Sequence, residues 1–189
     1  IDAAQDDAKP SEGEKPTIVF MGGRGGAGKT SSLEDSGLVP NRSEFLYLNS
    51  DDIKSELPEY NGMNAALVHE ESSYIAEQVE NYARQLGLNI IYDATLKSQG
   101  PALERADEYT AAGYDLEGFF VHTTPETSAR RALDRAMSSG RFVDPAYILS
   151  SRTNESSFDA LKPRLRRWVL FANNVPRGTP PIRIASGGK

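Results

Sequence analysis

Short β-prone runs punctuate the chain at Thr17–Met21, Phe45–Leu48, Leu88–Tyr92, Leu116–Val121 and Ile182–Ile184. The first is a continuous apolar run, the pattern of a strand covered on both faces in a parallel sheet. Between them the apolar positions take helical spacing. Val68, Ile75, Ala76, Val79, Tyr82, Ala83 and Leu86 form one stripe, with Gly87 as its stop. Residues 101–112 read as a second helix ending at Gly113. Thr124 caps a third, with Pro125 at its first position, a stripe of Ala129, Ala132, Leu133, Ala136 and Met137, and Gly140 at its end. The stretch 144–173 reads as a further helical region interrupted near Pro163. Strands alternating with helices predict an α/β domain of three layers with a mainly parallel central sheet.

Residues 1–16 are polar, acidic and proline-containing, and read as a flexible flank ahead of a domain over 17–186. At 189 residues, one domain with a single real core is the expectation. The formal net charge of −6 argues against broad nucleic-acid binding. Cysteine is absent, which removes disulfides and thiolate chemistry. His69-Glu-Glu-Ser-Ser73 opens like a zinc-protease helix but has serine where a second histidine belongs. His69 and His122 read as ordinary structural residues. No apolar run is long enough to span a membrane and no signal peptide is evident, so the expected setting is cytoplasmic with no membrane partner.

Gly23-Arg24-Gly25-Gly26-Ala27-Gly28-Lys29-Thr30 fits G-x-x-x-x-G-K-[ST], between a strand and a helix. Glycines let backbone N–H groups converge on phosphate oxygens, Lys29 reaches the terminal phosphates, and the Thr30 hydroxyl is a Mg²⁺ ligand. The helix that follows is expected to add its dipole. ATP is the expected nucleotide, with GTP left open, and Ser31 completes the binding stretch. A guanine-reading Asn-Lys-x-Asp is missing. Asp115-Leu-Glu-Gly118 opens a strand instead of following one and is read as coincidence. The small size favours transfer to a small acceptor.

Asp51 and Asp52 follow the second strand, where ligands of open α/β sheets sit. They suit a base or a metal ligand, or simply the cap of the next helix. Asp93 ends the third apolar strand in the Walker B manner, a Mg²⁺ position. Arg130, Arg131, Arg135 and Arg141 cluster on and after one helix and suit transition-state charge or a solvated face paired with Glu126 and Asp134. Arg164, Arg166 and Arg167 read as a solvated helix face. Glu71 lies beside the apolar stripe of its helix, which turns it toward a cleft or a buried partner, and Ser73 is close by.

Together these pieces resemble the zeta-toxin family of P-loop kinases, related to UDP-N-acetylglucosamine kinases. They are Gly23–Thr30, Asp51-Asp-Ile-Lys-Ser-Glu-Leu-Pro58, His69-Glu-Glu71-Ser-Ser73, Asn89-Ile-Ile-Tyr-Asp93-Ala-Thr95 and Arg135-Ala-Met-Ser-Ser-Gly-Arg141. The resemblance covers roughly residues 17–150. It implies a small-molecule-kinase-like domain with a helical lid, moving the γ-phosphate of ATP, with Mg²⁺, to a hydroxyl of a UDP-activated amino sugar, UDP-N-acetylglucosamine first. Asp51 would be the base on the sugar 3′-hydroxyl, and Glu71, Ser73 and Thr95 would lie near the acceptor. Asp93 would sit near Mg²⁺ or the acceptor, and Arg135 and Arg141 near the transferred phosphate. An antitoxin or other inhibitory partner is also within the family pattern. The chain departs from it at Ala94, where glycine is usual, and at Asp93, where the archetype carries glutamate. The alternatives are a polynucleotide 5′-hydroxyl kinase and a nucleotide-dependent binding module without transfer.

Overall fold

The computed structural model describes residues 7–140, 142–176 and 178–189. Its strands are β1 (Thr17–Gly22), β2 (Leu46–Leu48), β3 (Ile90–Asp93), β4 (Asp115–His122), β5 (Arg167–Ala172) and β6 (Ile182–Gly187). They form one sheet in the order β2-β3-β1-β4-β5-β6, parallel throughout except for antiparallel β6. The helices are α1 (Lys29–Ser32), α2 (Ser50–Glu56), α3 (His69–Gln85), α4 (Gln99–Ala111), α5 (Pro125–Ser139), α6 (Pro145–Ser150) and α7 (Asn154–Leu161).

Burial on both faces explains the apolar runs. Ile18, Phe20, Ile90 and Phe120 pack against Ala83 of α3, Ala106 and Tyr109 of α4, and Phe158 of α7. The alternate residues Val19, Met21, Ile91, Phe119 and Phe171 pack on the other face against Leu33, Leu38 and Val39. Thr124 caps α5 as its spacing predicts, accepting from the Thr127 N–H, and Gly140 closes it at φ 71°. The chain leaving β1 runs to β2 on one side of the sheet, and the chain leaving β3 crosses to β4 on the other. That divergence opens a crevice at the carboxyl ends of β1 and β3.

Several expectations change. Residues 167–172 are a strand, not the end of a helical region. The periodicity stops at Leu161, and the apolar run after Pro163 pairs in parallel with β4 from Glu117 to His122. Arg166 and Arg167 are therefore not on a helix face. Both hydrogen-bond the carboxylate of Glu117, which is fully buried in β4, and Arg164 pairs with Asp107. A buried carboxylate in a strand requires such partners. Residues 7–16 are not wholly a free flank: Ala8 is buried and its carbonyl accepts from the Asn89 N–H at 2.7 Å. No described helix is long and apolar enough to cross a membrane.

Candidate functional site

The loop after β1 is shaped by its glycines. Gly26 and Gly28 sit at φ 80° and 85°, where L side chains are strained. A Cβ on Gly26 would come within 2.7 Å of the Ser128 carbonyl oxygen, and one on Gly28 within 2.4 Å of Asn173 Nδ2. Asn173 donates from that nitrogen to the Ala27 carbonyl at 2.7 Å, bracing the loop from the end of β5. The helix that follows is only the Lys29–Ser32 turn, so it brings no long helix dipole to the loop.

Arg24 takes no part through its side chain. It is buried, donates to the Ser151 and Thr123 carbonyls, and is held by both carboxylate oxygens of Glu155, which His122 Nδ1 also approaches at 2.9 Å. Its guanidinium ties the loop to α7, which leaves only its backbone to face a ligand. Burial pushes the Glu155 carboxyl up, but Arg24, a backbone hydrogen bond and His122 outweigh it and hold it below the ordinary glutamate range. Its stabilising contribution is present above the unfolded value of 4.5 and is lost as pH falls through the lower folded value. Arg24→Met is therefore expected to cost about 2–3 kcal/mol in chemical denaturation near neutral pH. That is less than for a fully buried pair because Glu155 keeps a third of its side chain exposed. The difference from wild type should narrow below pH 4.5.

Lys29 Nζ donates to the Gly23 carbonyl at 3.1 Å and lies 3.5 Å from Asp93 Oδ1. The register that pairs Met21 with Asp93 sets this carboxylate beside the loop. Asp93 Oδ2 also accepts from the Tyr47 hydroxyl and, at 3.0 Å, from Asn49 Nδ2. Burial, followed by the charge of Asp93 and its hydrogen bond, pushes the Tyr47 hydroxyl well above its ordinary value, so it stays a proton donor. Tyr47 and Asn49 are two apart at the end of β2 and share a face, a strand-alternation signal that the sequence carries.

Asn49, not Asp51 or Asp52, caps α2: its side chain accepts from the Asp51 N–H at 2.8 Å. Both aspartates lie in the first turn of α2 and line the same cleft as Lys29. The Asp51 side chain is 45% exposed and pairs with Lys54 at 3.2 Å. Thr30, Ser73, Asp93, Thr95 and Arg135 also line it, and the Thr95 carbonyl is fixed by Asn154 Nδ2. Next to Thr95, Leu96 adopts φ 53° while buried over Gly22, a strained conformation that packing sustains. Glu71 is exposed and outside the cleft wall; α3 instead presents His69, Ser73, Glu77 and Glu80. Arg131 donates to the Val175 carbonyl at 2.7 Å, joining α5 to the loop after β5. Arg141 lies outside the described residues.

No cluster of three or more metal-ligating side chains exists among the described residues. Mg²⁺ in nucleotide sites needs no such cluster, being held by one or two protein oxygens completed by phosphates and water. The Thr30 hydroxyl, exposed at the cleft, and the Asp93 carboxylate, close to the loop, fit such a role. The cleft encloses about 1700 Å³. This exceeds the roughly 300–1,000 Å³ of a single-ligand pocket and leaves room for a nucleotide and a second substrate.

A strand ending in a glycine loop, a lysine and a neighbouring strand-end carboxylate define a P-loop fold of the kinase type. The chain belongs to the zeta-toxin family, whose model, described as "Zeta toxin", matches residues 1–173. No curated protein sequence matches the chain. Among solved structures it is similar to the AvrRxo1-ORF1:-ORF2 complex with ATP, at 21% identity and a TM-score of 0.74 over 98% of this chain. It spans 64% of the length of that relative. It is also similar to the PezAT toxin-antitoxin system of Streptococcus pneumoniae, at 17% identity and a TM-score of 0.70, covering 97% of this chain and 75% of the other. The Pnkp1/Rnl/Hen1 RNA repair complex is similar at 17% identity and a TM-score of 0.59, covering 79% and 47%.

Proposed function

We propose that the chain is a phosphotransferase that moves the γ-phosphoryl group of ATP to a hydroxyl of a UDP-activated amino sugar, with the 3′-hydroxyl of UDP-N-acetylglucosamine as the best candidate. The observation that carries the reading is a single roomy cleft lined by the P-loop lysine, by Asp93 beside it and by Asp51. The ATP-containing relative supports the choice of nucleotide. Mg²⁺, held by Thr30 and Asp93 with the phosphates, would supply charge neutralisation between them. Lys29 leaves the Gly23 carbonyl and Asp93 to contact the terminal phosphates. Asp51 accepts the acceptor's proton as the new O–P bond forms and the bond to the β-phosphate breaks, releasing ADP. Arg135 meets charge on the moving group, and Arg141 is assigned with it from the family pattern.

Arg135→Ala is expected to lower turnover by about 10²-fold while changing nucleotide affinity less. Steady-state kinetics at saturating ATP, beside nucleotide titration, check this. A loss confined to ATP affinity would remove the arginine from the transfer step.

A second reading, a polynucleotide 5′-hydroxyl kinase, is favoured by the RNA-repair relative, and the net charge of −6 opposes it. An antitoxin partner is proposed from the toxin-antitoxin relatives. A screen with labelled ATP over nucleotide sugars, 5′-hydroxyl oligonucleotides and small alcohols decides between the acceptors. Label on UDP-N-acetylglucosamine supports the first reading, label on oligonucleotides alone replaces it, and no label on any acceptor leaves only nucleotide binding.

A further inference from the structure

The wall of the cleft between α3 and β3 contains an arginine whose bonding differs from that of the buried arginine in the P-loop. Arg105 lies on α4 among Ala102, Ala106 and Tyr109, all buried, so it stands on the inward stripe of its helix. Its side chain is 25% exposed and lines the cleft. Placing a guanidinium there costs desolvation, which a partner must offset. Glu80 of α3, itself buried, supplies one: Arg105 Nε donates to Glu80 Oε1 at 2.6 Å. Tyr92, at the end of β3, supplies a second contact, its ring centroid 4.3 Å from the guanidinium carbon.

Two structural arginines elsewhere use more of their fork. Arg24 spends its Nε and both Nη groups on Ser151, Thr123 and Glu155. Arg167 spends Nε and Nη2 on the two oxygens of Glu117. Arg105 makes its single protein hydrogen bond, among the described residues, through Nε. The Nη edges are left at the cleft wall, in a plane set by Tyr92 and Glu80. Such a pre-oriented fork matches the paired oxygens of a phosphate or carboxylate. Lys29, Arg130, Arg131 and Arg135 serve the P-loop and α5 side of the cleft. Arg105 is tied instead to Glu80 of α3, the helix that also gives His69, Ser73 and Glu77 to the cleft lining.

We propose that Arg105 is a specificity-determining residue that binds an anionic phosphate of the acceptor through the Nη edges Glu80 leaves open, with Glu80 and Tyr92 as its positioning residues. The inference rests on the phosphotransferase reading for the identity of the acceptor, and its test separates the two. Binding of UDP, UDP-N-acetylglucosamine and uridine is measured with the P-loop filled by a non-hydrolysable ATP analogue, in wild type, Arg105→Gln and Arg105→Lys. Arg105→Gln should weaken UDP and UDP-N-acetylglucosamine by about 10- to 100-fold and leave uridine and the ATP analogue unchanged. Arg105→Lys should recover part of the loss, because it restores charge without the fork. It also carries the test should the glutamine variant fail to fold. Glu80→Gln should give a smaller loss in the same direction.

Equal weakening of UDP and uridine, unchanged UDP affinity in both Arg105 variants, or no binding of UDP to wild type would overturn the inference. Arg105-dependent UDP binding without phosphoryl transfer would sink the kinase reading and keep the subsite. Transfer to UDP-N-acetylglucosamine with an unchanged KM in Arg105→Gln would do the reverse.

Discussion

Replacing Lys29 with alanine is expected to lower phosphoryl transfer by about 10³-fold or more. The ammonium is poised between the Gly23 carbonyl at 3.1 Å and Asp93 at 3.5 Å, partners it can exchange for phosphate oxygens without moving the loop. Its side chain is only 14% exposed, so water does not screen the charge as it would on a surface. The variant should still fold. Asp93 keeps its hydrogen bonds from Tyr47 and Asn49, and Arg24 and Asn173 still fix the loop. Single-turnover transfer with labelled ATP, beside a thermal melt, is the measurement. Near-normal turnover in a folded variant would remove the P-loop from the chemistry.

Asp51→Asn is expected to lower transfer by about 10²- to 10⁴-fold, the usual contribution of a general base, with nucleotide affinity kept. The amide is nearly the same size and cannot take the acceptor's proton. Asp51 is the more exposed partner of its pair with Lys54, whose side chain is 10% exposed, so the lysine is anchored and the carboxylate reaches the cleft. Asp52 is the competitor, since it shares the first turn of α2 and the same cleft. Turnover of both asparagine variants with UDP-N-acetylglucosamine and ATP decides. A dead Asp52→Asn with an active Asp51→Asn would move the base by one residue, and two active variants would end the base mechanism.

Local pattern made much of the fold legible. The glycines that end α3, α4 and α5 each take positive φ, at Gly87, Gly113 and Gly140, because a helix stop is a short-range backbone requirement. The loop from Gly23 to Thr30 was legible for the same reason. The strand at 167–172 was not: a short apolar run after a helix has no periodicity of its own, and its pairing with β4 decided its conformation. Glu71 illustrates a similar limit. The helical spacing placed it beside the apolar stripe, but the cleft formed against the face carrying His69, Ser73 and Glu77.

Sequence by itself determined the phosphate loop, the strand end at Asp93, the aspartates that follow the second strand, and the alternation that builds a three-layer α/β domain. These depend on neighbours a few residues away. Tertiary structure alone decided which groups those residues meet. Arg24 finds Glu155 across 131 positions of chain, Asn173 braces Ala27 across 146, and Tyr47 holds Asp93 across 46. The Arg105–Glu80 pair, 25 positions apart, arises because α3 and α4 pack on one face of the sheet. No local spacing encodes such pairs. They form because a buried charge must find a partner, and the sheet order sets which partners are near.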